Sequence, residues 1–261
     1  MKIESIVIYP IKGMKGVVLK EGNVLERGFA NDRRYMLVDV DGQFVSQRTH
    51  PIIALFEVTL SEEVISVGFM ADSYDFSNTT SGSELIEVQL FEHKLEATLV
   101  SKEADRWFSK MLKEPVQLVK MTTANQRVKK LIKGPPETEV SFADGYPYLI
   151  LGTASLDELN KRLSEPVDGD RFRANIIVKT SVPHQEDDWG DVEIGGVKMT
   201  VVKPCARCQV VTIDQQTATK SKEPLSTLSG YRTRDHKVFF GANAVSRSNG
   251  VIRVGDELTC L

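Results

Sequence analysis

Cysteine is scarce in this chain. There are three in 261 residues, an odd number, which argues against a secreted disulfide scaffold. Long hydrophobic runs are missing too: stretches such as Ile52–Phe56 are strand-sized, far below the ~20 residues a spanning helix needs. The opening residues, Met1 to Val7, lack the positive segment, apolar run and small-residue cleavage site of a signal peptide. A reducing, cytoplasmic location without membrane association is therefore expected. Neither sign of charge dominates, because 33 Lys and Arg stand against 36 Asp and Glu, a formal net charge of −3. That balance argues against nucleic-acid binding by bulk charge, although a local basic pocket is still allowed. There is no four-cysteine cluster for an internal iron–sulfur centre and no Gly-x-Gly-x-x-Gly fingerprint for a dinucleotide.

What is present is ordinary globular composition, 41% hydrophobic and 26% charged, with ample material for a core. The first hundred residues read as strands and turns. Ile3–Tyr9 is β-rich and stops at Pro10, where a ladder donor is lost. Asp41-Gly42 is a hairpin signal between Tyr35–Val40 and Gln43–Val45. Further strands are expected at Glu57–Leu60, Val64–Phe69, Leu85–Leu90 and Glu96–Val100, at intervals that suit a small barrel rather than βαβ units. Ser101 is placed to cap a helix over 102–113, with Trp107 as a core anchor. Ser155 with Glu158 has the spacing of a capping box for a second helix, over 155–164. Strands resume at Ala174–Val178, Val192–Ile194, Val197–Val202, Gln209–Ile213 and Val251–Val254, and Gly195-Gly196 forms a two-residue turn. Basic residues in 120–139 (Lys120, Arg127, Lys129, Lys130, Lys133) read as a solvated linker, or as a lid over an anion. The expected fold is mainly β and β-barrel-like with a few helices, in two closely packed subdomains dividing near residue 118.

The sharpest local feature is Lys203-Pro204-Cys205-Ala206-Arg207-Cys208. A Cys-x-x-Cys can serve dithiol exchange, supply half a zinc site with Cys260 and His236 or His184, or fill a core as two small hydrophobes. A fourth reading is a thiolate in an electropositive pocket. Between Lys203 and Arg247 eight basic residues face three acids, in a chain that is acidic overall. Positive surroundings of this kind favour thiolates and anionic ligands alike.

These segments, followed by Thr212-Ile213-Asp214 and Lys222-Glu223-Pro224-Leu225, resemble the MOSC domain, the C-terminal domain of molybdenum cofactor sulfurases. Asp144-Gly145-Tyr146-Pro147, Arg171-Phe172-Arg173-Ala174-Asn175 and the closing residues 250–261 agree with it. Tyr9-Pro10-Ile11-Lys12-Gly13, residues 28–34 and Gln47-Arg48 resemble the β-barrel domain that precedes MOSC in amidoxime-reducing and hydroxylaminopurine-detoxifying molybdenum enzymes.

The resemblance implies a β-barrel-like domain over 1–118 and a MOSC domain carrying the cofactor cysteine over 119–261. It implies a molybdenum cofactor (molybdopterin) held through Cys208 as metal ligand and catalytic anchor, with Cys205 beside it. Lys12, Arg33, Arg173, Asn175 and Arg207 would bind the cofactor, with Asp144 accepting from the pterin ring. Choosing Arg33 over Arg34 is not determined by the motif. The expected activity is reduction of N–O bonds in N-hydroxylated small molecules. A separate flavoprotein or small iron–sulfur reductase would deliver electrons to a monomeric chain that binds no nucleic acid. The alternative is a cofactor carrier or sulfur-transfer module without turnover.

Overall fold

The computed structural model describes residues 1–79, 82–122 and 127–261. Its centre is a mixed sheet in which Val17–Leu19, Lys2–Ile8, Ile176–Lys179, Tyr148–Gly152, Lys237–Ser246, Val197–Ala206, Asp191–Ile194 and Leu258–Cys260 follow one another. Tyr148–Gly152 and Ile176–Lys179 run parallel, while the other neighbours along this path are antiparallel. One face is an aliphatic core that includes Ile6, Ile150, Ile176, Met199, Val201 and Ala244, all without solvent exposure. The alternation of these positions along each strand explains why period two was legible in the sequence. At the turn joining Asp191–Ile194 to Val197–Ala206, Gly195 and Gly196 both have positive φ, 56° and 85°, which a two-residue hairpin requires and side chains resist.

Smaller open sheets flank this one. Tyr35–Val38, Gln117–Lys120, His93–Leu99 and Leu85–Leu90 form one, and Glu57–Leu60, Val64–Phe69 and Asp72–Ser77 another. The barrel expectation is corrected here: the fold is mainly β with few helices, but its sheets are open. Lys2–Ile8 meets the segment leading into Leu258–Cys260 through one isolated bridge, Lys2 to Glu257, and the backbone hydrogen bonds around it from Ile3, Gly255 and Leu258, rather than through a regular ladder. Gly255 turns the chain there at φ +91° and donates its N–H to the Ile3 carbonyl. The ladders also cross residue 118: Lys2–Ile8 pairs with Ile176–Lys179, and Glu21–Leu25 pairs with Gly250–Arg253.

Helix α1, Lys102–Leu112, forms where its sequence periodicity puts it. The Ser101 hydroxyl accepts from the Ala104 N–H at 3.1 Å, and Lys113 closes the helix in the left-handed region. Trp107 and Phe108 are buried against Phe56 and Tyr74, confirming Trp107 as core. Helix α2, Thr153–Asn160, differs from expectation. It begins two residues earlier, capped from Gly152, and the capping box does not form. Ser155 lies inside the helix and donates instead to the buried Glu186 carboxylate, at 2.7 and 2.9 Å. Helix α3, Leu225–Arg232, lacked a clear periodic stripe and was not expected. The expected strand Gln209–Ile213 is a short 3-10 turn over Gln209–Thr212. Val211, Thr212 and Ile213 are all buried there, so a run of β-branched residues imitated a strand.

Candidate functional site

Lys12, Arg33, Asp144, Arg173, Asn175, Cys205, Arg207 and Cys208 all line one cavity of about 370 Å³. Segments from distant parts of the chain bring them together. The loop after Lys2–Ile8 carries Lys12, and the turn before Tyr35–Val38 carries Arg33. The end of Val197–Ala206 and the residues just beyond it supply the two cysteines and Arg207. Opposite them, the segments flanking Tyr148–Gly152 and Ile176–Lys179 deliver Asp144, Arg173 and Asn175.

The cysteine wall forms where a long strand lets go of its partner. Pairing with Lys237–Ser246 shifts register between Pro204 and Ala206 and ends at Ala206 with Phe239. Arg207 then donates its backbone N–H to Val238, and Cys208 opens the 3-10 turn by accepting from Val211. Neither cysteine is in a disulfide; Cys208 is exposed and Cys205 half-buried. The Arg207 guanidinium is held by the Phe172 carbonyl at 2.7 Å and reaches the Cys205 sulfur at 3.2 Å. Its Nε is buried without a partner. Helical dithiol geometry is absent, because no α-helix starts at Cys205. The zinc reading also fails: among the described residues no group of three or more His, Cys, Asp or Glu could hold a metal. Cys260 is exposed in an edge strand of the large sheet and does not line the cavity.

The opposite wall is a stack of charge around Tyr9. Its ring lies between the guanidiniums of Arg33 and Arg173, 4.4 and 4.2 Å from the ring centre. Arg33 is fully engaged, donating to Asp32 at 2.7 Å, Asn175 Oδ1 at 2.9 Å and the Arg173 carbonyl at 3.0 Å. Burial opposes its charge, but Asp32, Tyr9 and Asp144 together outweigh burial and raise its pKa. Asn175, 1% exposed, spends Nδ2 on the Val7 carbonyl. Arg33 and Asn175 therefore hold the wall in shape. Arg173 has Nη2 buried without a partner, and burial pushes its pKa down to about 10. Both Arg33 and Arg173 sit at positive φ, 50° and 53°. Side chains avoid that region, and residues held in it concentrate at functional sites. Of the two neighbouring arginines, Arg33 lines the cavity and Arg34 does not.

Lys12 and Asp144 form an ion pair across the cavity floor. Burial lowers the Lys12 pKa against the pull of Asp144. Burial works in the opposite direction on Asp144, yet Lys12, Arg33 and Arg173 together bring its pKa down to about 2. The Asp144 side chain is 69% open, into the space of the cavity, whereas that of Lys12 is 7% open, so Asp144 is the member that can meet a ligand.

Other lining residues were not assigned from the sequence: Phe44, Arg48, Phe91, Lys129, Tyr146 and Lys203. Some signal was available, since Arg48, Tyr146 and Lys203 fall inside the family-like motifs. The 120–139 segment is not a solvated linker over its described residues; its residues 123–126 lie outside them. Val128–Lys130 pairs with Glu137–Glu139, and Arg127, 9% exposed, ties the cavity floor by donating to the Ser141, Ala143 and Asp144 carbonyls.

Residues 1–115 match the MOSC N-terminal beta barrel domain, and residues 137–259 match the MOSC domain. Mitochondrial amidoxime reducing component 2 of Rattus norvegicus is 31% identical over 98% of this chain and 82% of its own length. The human protein of the same name is 30% identical over 96% of this chain and 81% of its own length. The molybdenum cofactor sulfurase of Oryza sativa is 29% identical over 92% of this chain, which spans only 32% of that larger protein. Relatives named mitochondrial overturn the cytoplasmic expectation, which rested on the absence of a signal peptide and on cysteine usage. Among the described residues no helix is long and apolar enough to cross a membrane. The chain belongs to the MOSC family, with a MOSC N-terminal domain ahead of its MOSC domain, and is homologous to the mitochondrial amidoxime-reducing components and the molybdenum cofactor sulfurases.

Proposed function

We propose that this chain holds a molybdenum cofactor in the cavity and reduces the N–O bond of N-hydroxylated small molecules with electrons from a separate reductase. One observation carries the reading: two free cysteines share a cavity with arginines whose buried Arg173 Nη2 and Arg207 Nε have no protein partner. Buried donors left unpaired are costly, and an anionic group would satisfy them. The donor set fits a cofactor that brings its own sulfur ligands and takes one soft thiolate from the protein.

Cys208, the more exposed thiol, would ligate the metal, with Cys205 held beside it by Arg207. Arg173 and Arg207 would hold the phosphate and polar ring edges, while Asp144, oriented by Lys12, would accept from the pterin ring. Arg33 and Asn175, fully bonded within the protein, would keep Arg173 and the strand ends in register. When bound, the cofactor supplies two-electron redox chemistry, and the protein supplies position, electrostatics and access. The overall change is R–NHOH + 2 e⁻ + 2 H⁺ → R–NH₂ + H₂O. Lys12 pairs with Asp144 on the cavity floor, and the cationic wall favours an anionic cofactor.

The experiment is product formation from 6-N-hydroxylaminopurine and benzamidoxime by molybdenum-loaded protein. NADH alone is expected to give no product, and an added flavoprotein or small iron–sulfur reductase, or an artificial one-electron donor, to give turnover. Loaded protein that stays inactive with a strong artificial donor across several N-hydroxylated substrates would overturn the reading in favour of a cofactor carrier or sulfur-transfer module.

A further inference from the structure

The cavity carries more positive charge than one cofactor phosphate needs. Seven cations line it, Lys12, Arg33, Arg48, Lys129, Arg173, Lys203 and Arg207, against one lining acid, Asp144. Asp144 pairs with Lys12, and Asp32, just behind the wall, pairs with Arg33. Five cations remain without a carboxylate partner among the described residues, whereas a phosphate monoester brings at most about two negative charges.

The surplus is organised. Lys129 Nζ lies 4.6 Å from the centre of the Tyr146 ring and Lys203 Nζ 5.4 Å from the same centre. They come from unrelated parts of the chain: Lys129 from the small hairpin after residue 127, Lys203 from the strand that ends in the cysteines. Tyr146 gathers them, and each ammonium keeps its hydrogen-bond donors free, since a ring face attracts the charge without accepting them as a carboxylate would. Two converging ammonium groups suit a doubly charged phosphate better than a carboxylate. Phe44 and Phe91 meet edge to face, 6.3 Å between centres, with Lys12 Nζ 4.7 and 5.6 Å from their ring centres and Arg48 5.2 Å from that of Phe91. That aromatic wall suits a planar base.

We propose that the preferred substrate is a nucleoside 5′-monophosphate with an N-hydroxylated base, its phosphate held by Lys129 and Lys203 and its base packed against Phe44 and Phe91. The inference rests on the proposed reductase function for the chemistry, but not for the binding. Tyr146 is a positioning residue in this scheme, and the two lysines determine specificity between the charged nucleotide and the uncharged base.

The test compares holoenzyme of wild type with the double variant Lys129→Ala/Lys203→Ala, each with its molybdenum and pterin content measured. The readout is the ratio of kcat/KM for N6-hydroxyadenosine 5′-monophosphate to that for the free N6-hydroxylated base. Wild type is expected to favour the nucleotide by about tenfold or more, and the double variant to lose most of that preference, the effect of removing charged partners of a phosphate. A wild-type ratio near one overturns the proposal. So does a double variant that loses its pterin yet keeps the ratio in its residual activity, which would give the lysines to the cofactor's phosphate instead. If neither compound is reduced, calorimetric titration with adenosine 5′-monophosphate and adenosine decides separately. Tighter binding of the monophosphate that is lost in the double variant supports the clamp, and equal binding of the two ligands overturns it.

Discussion

Asp32 is the residue on which the arginine wall depends, and its removal should be costly in a way that can be worked from the structure. Its side chain is fully buried, accepts the Tyr9 N–H at 2.8 Å, and pairs with Arg33 at 2.7 Å. Asp32→Ala therefore leaves a guanidinium that is 12% exposed without its counter-charge and strands a buried N–H. Breaking a buried pair from one side costs about 3–5 kcal/mol, a large share of a total stability of about 5–15 kcal/mol. With a guanidinium dependence of about 4 kcal/mol per M, the unfolding midpoint should fall by about 1 M. Arg106→Ala is the comparison, since its pair with Glu103 is 74% and 62% exposed. Removing such a surface pair costs at most about 1 kcal/mol, so the midpoint should move by no more than about 0.25 M. The assay is chemical denaturation followed by tryptophan fluorescence and circular dichroism, whose agreement checks two-state behaviour. Adding Arg33→Met to Asp32→Ala should recover part of the loss, because the orphaned charge leaves with the arginine. A midpoint for Asp32→Ala no lower than that of Arg106→Ala, or no recovery in the double variant, would refute the reasoning.

A pH effect is expected away from the cavity. Burial, helped by Arg232, holds His184 down to about 4, and neither ring nitrogen has a partner. The unfolded chain takes up this proton near pH 6.5, so the contribution of His184 is complete above that pH and is lost as pH falls toward 4, on the order of 2 kcal/mol. His184→Asn, which tolerates the positive φ found there, should remove that part of the pH dependence; parallel wild-type and variant profiles between pH 7 and 4.5 would contradict it. Ser155→Ala should destabilise by about 1–3 kcal/mol, because the Glu186 carboxylate and the His184 N–H each lose a buried partner, and a midpoint equal to wild type would count against that account.

Much of the site was legible because its residues sit in short motifs whose chemistry is specific, and the cavity collects all eight of them although they span Lys12 to Cys208. The strands were legible where one face is buried. Legibility failed where a local pattern had two structural solutions. Val210 to Ile213 is a β-branched run of the kind strands favour, yet the chain has already left its ladder partner at Phe239, so a 3-10 turn takes the carbonyl of Cys208. Ser155 and Glu158 have capping-box spacing, but Glu186, from a distant segment, claims the Ser155 hydroxyl. Sheet closure is not encoded in strand spacing, and the strand order of the large sheet is open. Lys129 read as a solvated charge because nothing in sequence brings it to Tyr146, 17 positions on. Location was misread because composition and a missing signal peptide do not report on the compartment of the relatives.

The central claim is that Cys208 anchors a molybdenum cofactor in this cavity. Its most direct test is the molybdenum and pterin content of protein purified from a cofactor-competent host, measured for wild type, Cys208→Ser and Cys205→Ser, with circular dichroism to show that each is folded. The account predicts close to one molybdenum per chain in wild type, little or none in Cys208→Ser, and substantial retention in Cys205→Ser. Equal loss in both variants would point to a shared site of the two sulfurs. Folded wild-type protein without molybdenum, or Cys208→Ser protein that keeps it, would contradict the account.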